Sequence, residues 1–175
     1  MGEAIMVGMA EVKVTQSADD MLIALGLGSS ICICAFDAQA SIAAMAYVVL
    51  PENHNNETAA GKYADTAVPL LIEMMSRNGA AADRIRAAII GGAQLFAFNG
   101  TGVRLEIGAR NIEAVKAALQ AERVPVAATD LGGSTGRSVH LTGDGRVRVK
   151  VLGKGETDLV HLGEVSVAAL AGDSR

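Results

Sequence analysis

Ala24-Leu25-Gly26-Leu27-Gly28-Ser29-Ser30-Ile31-Cys32-Ile33-Cys34-Ala35-Phe36 is a glycine-punctuated turn that runs straight into an apolar strand. With Leu22 ahead of it, the whole run to Phe36 reads as strand, turn, strand. Asp37-Ala38-Gln39-Ala40 then makes a short hairpin connection into Ile42 to Leu50. That second stretch has no polar alternation, the pattern of a central strand covered on both faces, and Pro51 ends it.

Outward from this pair, the alternation in Ala10-Glu11-Val12-Lys13-Val14 predicts an opening strand, followed by a turn at Gln16 to Asp20. A helix is predicted from about Lys62 or Thr66 to Asn78, with Ala67, Leu70, Leu71, Met74 and Met75 as its apolar face. Pro69 fits best if the first turn begins near Thr66, and Asn78-Gly79 is a helix stop. Ile85 to Ile90 and Val103 to Ile107 read as strands on either side of Gly91-Gly92. A second helix from about Arg110 to Ala121 puts Ile112, Val115 and Leu119 on one face. Val124 to Thr129, Arg137 to Leu141, Arg146 to Leu152 and Asp158 to Leu162 complete the strands, with a turn at Gly143-Asp144-Gly145. Many strands, two helices and short connections predict an α+β fold. The expected organisation is one domain over residues 1–163 and an Ala-rich tail, 164–175.

Composition narrows the function classes. Half of the 175 residues are apolar, yet aromatics make up 3% and tryptophan is absent, so the core is built from Ala, Val, Ile, Leu and Met. A net charge of −4, with no basic run interleaved with aromatics, argues against nucleic acid as a partner. Arg146, Arg148 and Lys150 alternate along one strand, the pattern of a solvated face. The longest apolar run is too short to span a bilayer, and the first residues lack a positive leader segment. No membrane insertion and a cytoplasmic location are expected. Cys32 and Cys34, spaced C-x-C on a strand, would have Cβ atoms too far apart for an unstrained disulfide, and no second Cys/His pair supports a zinc site. No metal or cofactor is expected. Gly26-Leu27-Gly28 and Gly132-Gly133-Ser134-Thr135-Gly136-Arg137 lack the lysine and helix context of a phosphate cradle.

Five more segments matter together with the opening loop. They are Ala44-Met45-Ala46-Tyr47-Val48-Val49-Leu50-Pro51, Lys62 to Ala67, Gly91-Gly92-Ala93, Ile107 to Val115, and Asp130 to Val139. In order and spacing the set resembles CheD, the chemoreceptor glutamine deamidase family, over roughly Val7 to Val151. The resemblance implies a layered domain of packed mixed β-sheets flanked by helices. It also implies methyl-accepting chemotaxis receptors and a CheC-type phosphatase as partners.

The family's catalytic cysteine, histidine and threonine positions fall on Ser30, Tyr47 and Ala24. A serine hydroxyl needs an adjacent base, a phenol is neutral at pH 7, and alanine orients nothing. The expectation is therefore a pseudoenzyme, with deamidase activity lost or reduced and a role in binding. The alternative is a working protein-glutamine amidohydrolase using Ser30, or Cys32, which on an extended strand points to the same side as Ser30. A third possibility is a scaffold for a small ligand. Of the histidines, His54 lies in a polar loop able to fold over the site, whereas His140 and His161 read as surface or packing residues. Gly26, Gly28 and Ser29 are the expected binding residues, their loop offering backbone N–H groups as an oxyanion hole. Arg110-Asn111 reads as helix capping, and Asp130 as a brace for the following turn.

Overall fold

The structure, a computed structural model, describes residues 2–94 and 106–164. Its elements in chain order are β1 (Ala4–Met6), β2 (Val12–Thr15), β3 (Met21–Leu27), β4 (Ile31–Asp37), β5 (Ile42–Val48), α1 (Ala64–Arg77), β6 (Arg86–Gly91), α2 (Ile107–Ala121), β7 (Val126–Leu131), β8 (Arg137–Thr142), β9 (Arg146–Val151) and β10 (Glu156–His161). They form two mixed sheets, with strand orders β1-β3-β8-β9-β10 and β2-β5-β4-β6-β7. This is the layered α+β fold that the sequence predicts.

Parity along β4 explains the layering. Ile31, Ile33 and Ala35 point into a core shared with α1 and α2. Cys32, Cys34 and Phe36 point into a second core between the two sheets, against Leu22, Ala24, Met45 and Val139. The second sheet is therefore covered on both sides, which is why β4 and β5 carry no polar alternation and are buried at every residue. The first sheet has one open face, and β9 alternates accordingly, with Val147 and Val149 inward and Arg146, Arg148 and Lys150 on the other side. Arg148 pairs there with Glu156 and Asp158 of β10.

Several expectations need correction. β1 is absent from the sequence reading because three residues carry no periodicity; it exists through parallel pairing with β3, Ala4 opposite Met21. β5 stops at Val48, not Leu50, because the N–H groups of Val49 and Leu50 both donate to Lys62 O, 2.9 Å each. Helix α1 begins at Ala64 and carries Pro69 inside it. Its buried face is Ala64, Ala67, Val68, Leu71, Ile72 and Met75, so Val68 and Ile72 take the places expected of Leu70 and Met74, which are half-buried at the rim. The expected strand Val103 to Ile107 lies outside the described residues except at its end, where Ile107 opens α2. Of the tail, only Glu164 lies within them.

At the far end of β4 from Ser30, Asp37 is completely buried and accepts four donors. Its carboxylate takes the N–H groups of Gln39, Ala40 and Ala81 and the Nε of Arg84, at 2.9 to 3.2 Å. One acidic side chain thus ties the β4–β5 hairpin to the short helical turn before β6. Burial pushes its pKa up, but the Arg84 guanidinium and the Ala81 and Ala40 N–H groups outweigh that and hold it below the ordinary carboxylate value.

Candidate functional site

The three candidate catalytic residues, Ala24, Ser30 and Tyr47, lie at one end of the intersheet core. Ala24 comes from β3 in the first sheet, Ser30 immediately precedes β4, and Tyr47 lies on β5, directly opposite Cys32. Ala24 and Cys32 have no exposed surface, while Tyr47 and Ser30 retain only 5% and 7%.

The glycine-rich segments, separate in sequence, are neighbours here. Gly92 N donates to Ser30 O at 3.0 Å and Ala93 N to Gly28 O at 2.8 Å. Gln94 N in turn donates to Gly133 O at 2.9 Å, and Gly132 N to Gly91 O at 2.9 Å. Leu27 is in register with Arg137, whose Nη2 pairs with Asp130 Oδ1 at 3.3 Å. Asp130 thus acts through a nearly buried guanidinium rather than by accepting backbone N–H groups as expected. Gly28, Ser29 and Ser30 present three consecutive backbone N–H groups that find no acceptor among the described residues.

Gly91 makes the loop's approach possible. It sits at φ +122°, and a Cβ there would lie 2.2 Å from Ser30 O. Gly91→Ala therefore combines backbone strain of about 1–3 kcal/mol with a backbone collision that moves Ser30. A fall in melting temperature accompanied by changed chemical shifts at Gly28 to Ser30 is the expected result, and an unperturbed loop spectrum would contradict it.

Two side chains of the site, Tyr47 and Cys32, are held in their protonated forms. Tyr47 Oη donates to Leu25 O at 3.3 Å and Gly26 O at 3.5 Å, a long bond shared between two carbonyls of the loop. Burial, then the nearby Cys32 thiol, raises the phenol above its usual pKa, so it stays protonated at neutral pH. The Ser30 hydroxyl has no hydrogen-bond partner among the described residues. Cys32 faces the intersheet core, 3.9 Å from the sulfur of Cys34, and both are free thiols. Burial, reinforced by the Cys34 contact, drives the Cys32 pKa well up, the reverse of what an attacking thiolate needs.

Each histidine lies beside a carboxylate. His54 is on an exposed loop with its Nε2 2.9 Å from Glu52 Oε2. It lines a cleft of about 190 Å³ with Leu50, Pro51, Ile107 and Arg110. His140 and His161, on the first sheet, lie beside Glu156 and Asp144. Among the described residues, no group of three or more His, Cys, Asp and Glu side chains is placed to hold a metal ion, and no helix is long and apolar enough to cross a membrane.

Asn111 is the site residue that sequence reasoning missed. It is completely buried in the row Gly108, Asn111, Val115, Leu119 and does not cap α2, whose N-terminal cap position is Glu106. Its Nδ2 donates to Ser29 O and Val49 O, both at 2.9 Å. The signal available in the sequence was its helical register with Val115 and Leu119: an amide in an apolar row demands polar partners.

Comparison with known proteins agrees with this architecture. The family model for CheD chemotactic sensory transduction matches residues 49–151. The chain is 41% identical over 161 residues to the probable chemoreceptor glutamine deamidase CheD of Syntrophomonas wolfei, covering 89% of this chain and 98% of that protein. It is 40% identical to the corresponding protein of Symbiobacterium thermophilum, covering 87% and 95%. It is 39% identical to the chemoreceptor glutamine deamidase CheD of Thermotoga maritima, covering 86% and 93%. With that family model matching more than half of the chain and relatives about 40% identical over most of both lengths, the chain belongs to the CheD family.

Proposed function

We propose that this chain engages chemoreceptors as a binding protein whose deamidase activity is lost or strongly reduced. The observation that carries the reading is the state of Tyr47: a protonated phenol that donates into the loop instead of a base facing Ser30. The N–H groups of Gly28, Ser29 and Ser30, without an acceptor among the described residues, supply the means to bind a glutamine carbonyl. Binding without turnover follows, since oxyanion donors and binding alone supply only a residue of a triad's rate. The receptor assignment rests on relatives named as chemoreceptor glutamine deamidases. A CheC-type phosphatase is the second partner proposed, competing with receptors for the same end of the molecule.

Calorimetric titration with a glutamine-bearing receptor cytoplasmic fragment tests this, with mass spectrometry of the fragment afterwards. Saturable binding with no glutamine-to-glutamate conversion is expected, and a CheC-type phosphatase should displace the fragment. Conversion at a rate near that of a cysteine-bearing relative would overturn the reading and point to Ser30 or Cys32 as an unrecognised nucleophile.

A further inference from the structure

We infer that Asn111 is the positioning residue of the site, setting the Ser29–Ser30 backbone against the strand that carries Tyr47. Its two acceptors belong to different parts of the site. Ser29 O precedes Ser30 in the loop, and Val49 O lies two residues beyond Tyr47. One carboxamide thus bridges them from a third element, α2, with both Nδ2 hydrogens committed.

Those two acceptors fix the amide's orientation, because turning it over would set Oδ1 against two carbonyl oxygens. An apolar residue in its place would fill the space but leave Ser29 O and Val49 O without this donor. No other side chain among the described residues donates to Ser29 O or Val49 O. Ser30 O and Gly28 O are held by the N–H groups of Gly92 and Ala93, a segment that itself packs on Gly108 and Ile112 of α2. The carbonyls of three successive loop residues are therefore fixed by α2 and the segment after β6, and the loop's N–H groups point where those bonds set them.

Native-state hydrogen exchange of the full chain and of Asn111→Leu, which keeps the branched shape and removes both donors, tests this. Protection of the Gly92 and Ala93 amides is expected to fall about tenfold to a hundredfold, the equivalent of losing two bonds on the loop side. Protection of Val139 and Leu141, in β8 of the other sheet, is expected to stay unchanged. An equal loss at all four amides would mark Asn111 as a global stabiliser and overturn the inference, as would no loss at Gly92 and Ala93. Asn111→Ala removes the same donors without added bulk and serves if the leucine variant does not fold. If neither folds, the loop-specific role is wrong. Resting on the proposed binding function, weaker affinity for a glutamine-bearing receptor fragment is also expected in the folded variant. Should the parent bind no such fragment, the binding proposal fails while the exchange result still decides the role of Asn111.

Discussion

Ser30→Cys combined with Tyr47→His is expected to raise glutamine conversion on receptor fragments far above the parent, while Ser30→Cys alone gains little. Separating a nucleophile from its base costs nearly as much as deleting the set, so the parent should lie on the order of 10⁴- to 10⁶-fold below an intact relative. The single change supplies a thiol but leaves Tyr47, whose proton is held by burial and committed to Leu25 O and Gly26 O. The double change places an imidazole, titrating near pH 6.5, where it can take the thiol proton. It also removes the phenol's bond to the loop, so Asn111 and the Gly92 and Ala93 amides must keep the loop in place unaided. Adding Ala24→Thr completes the family triad but inserts atoms into a side-chain environment with no exposed surface, a change that typically costs about 1–3 kcal/mol. The readout is mass spectrometry of the fragment over time. Full activity from the parent, or from Ser30→Cys alone, would show that Tyr47 is no obstacle.

The second large effect concerns stability. Asp37→Ala removes a completely buried carboxylate that holds three backbone N–H groups and Arg84. Arg84 is one-third exposed and can turn to water, so the main loss is the buried N–H groups left without their acceptor, about 1–3 kcal/mol, and for a chain of this size each kcal/mol is about 2–4 °C of melting temperature. A drop of roughly 2–12 °C follows from those two figures. The pH dependence has a definite sign. The folded state holds Asp37 below its ordinary value of 3.8, so the unfolded chain binds its proton more readily. The contribution is complete above the unfolded pKa and is lost as pH falls through the lower folded one. Thermal melts of parent and Asp37→Ala should therefore converge in acid and differ most from neutral pH upward. A gap that widened in acid would contradict the argument.

Much of the fold was legible because burial writes itself into composition. Ile31 to Phe36 and Ile42 to Val48 lack polar residues because each strand is covered on both faces. Arg146, Arg148 and Lys150 alternate with Val147 and Val149 because the first sheet has one wet side. Boundaries were less legible where a tertiary hydrogen bond decides them. β5 stops where Lys62 O captures two successive N–H groups, and β1 is a strand only because β3 lies beside it.

For the site, the amino-acid sequence alone determined which side chains stand where the resemblance puts the family's catalytic residues. A serine, a tyrosine and an alanine at the family positions are chemical identities, and no fold turns a phenol into an imidazole. Only the tertiary structure decided what those residues do instead. It set the direction of the Tyr47 hydrogen bond, buried Cys32 beyond the reach of solvent, and gave Asn111 two carbonyls to hold. Each of these depends on groups distant along the chain meeting at about 3 Å, and hydrogen bonding and desolvation are properties of such meetings, not of residue type.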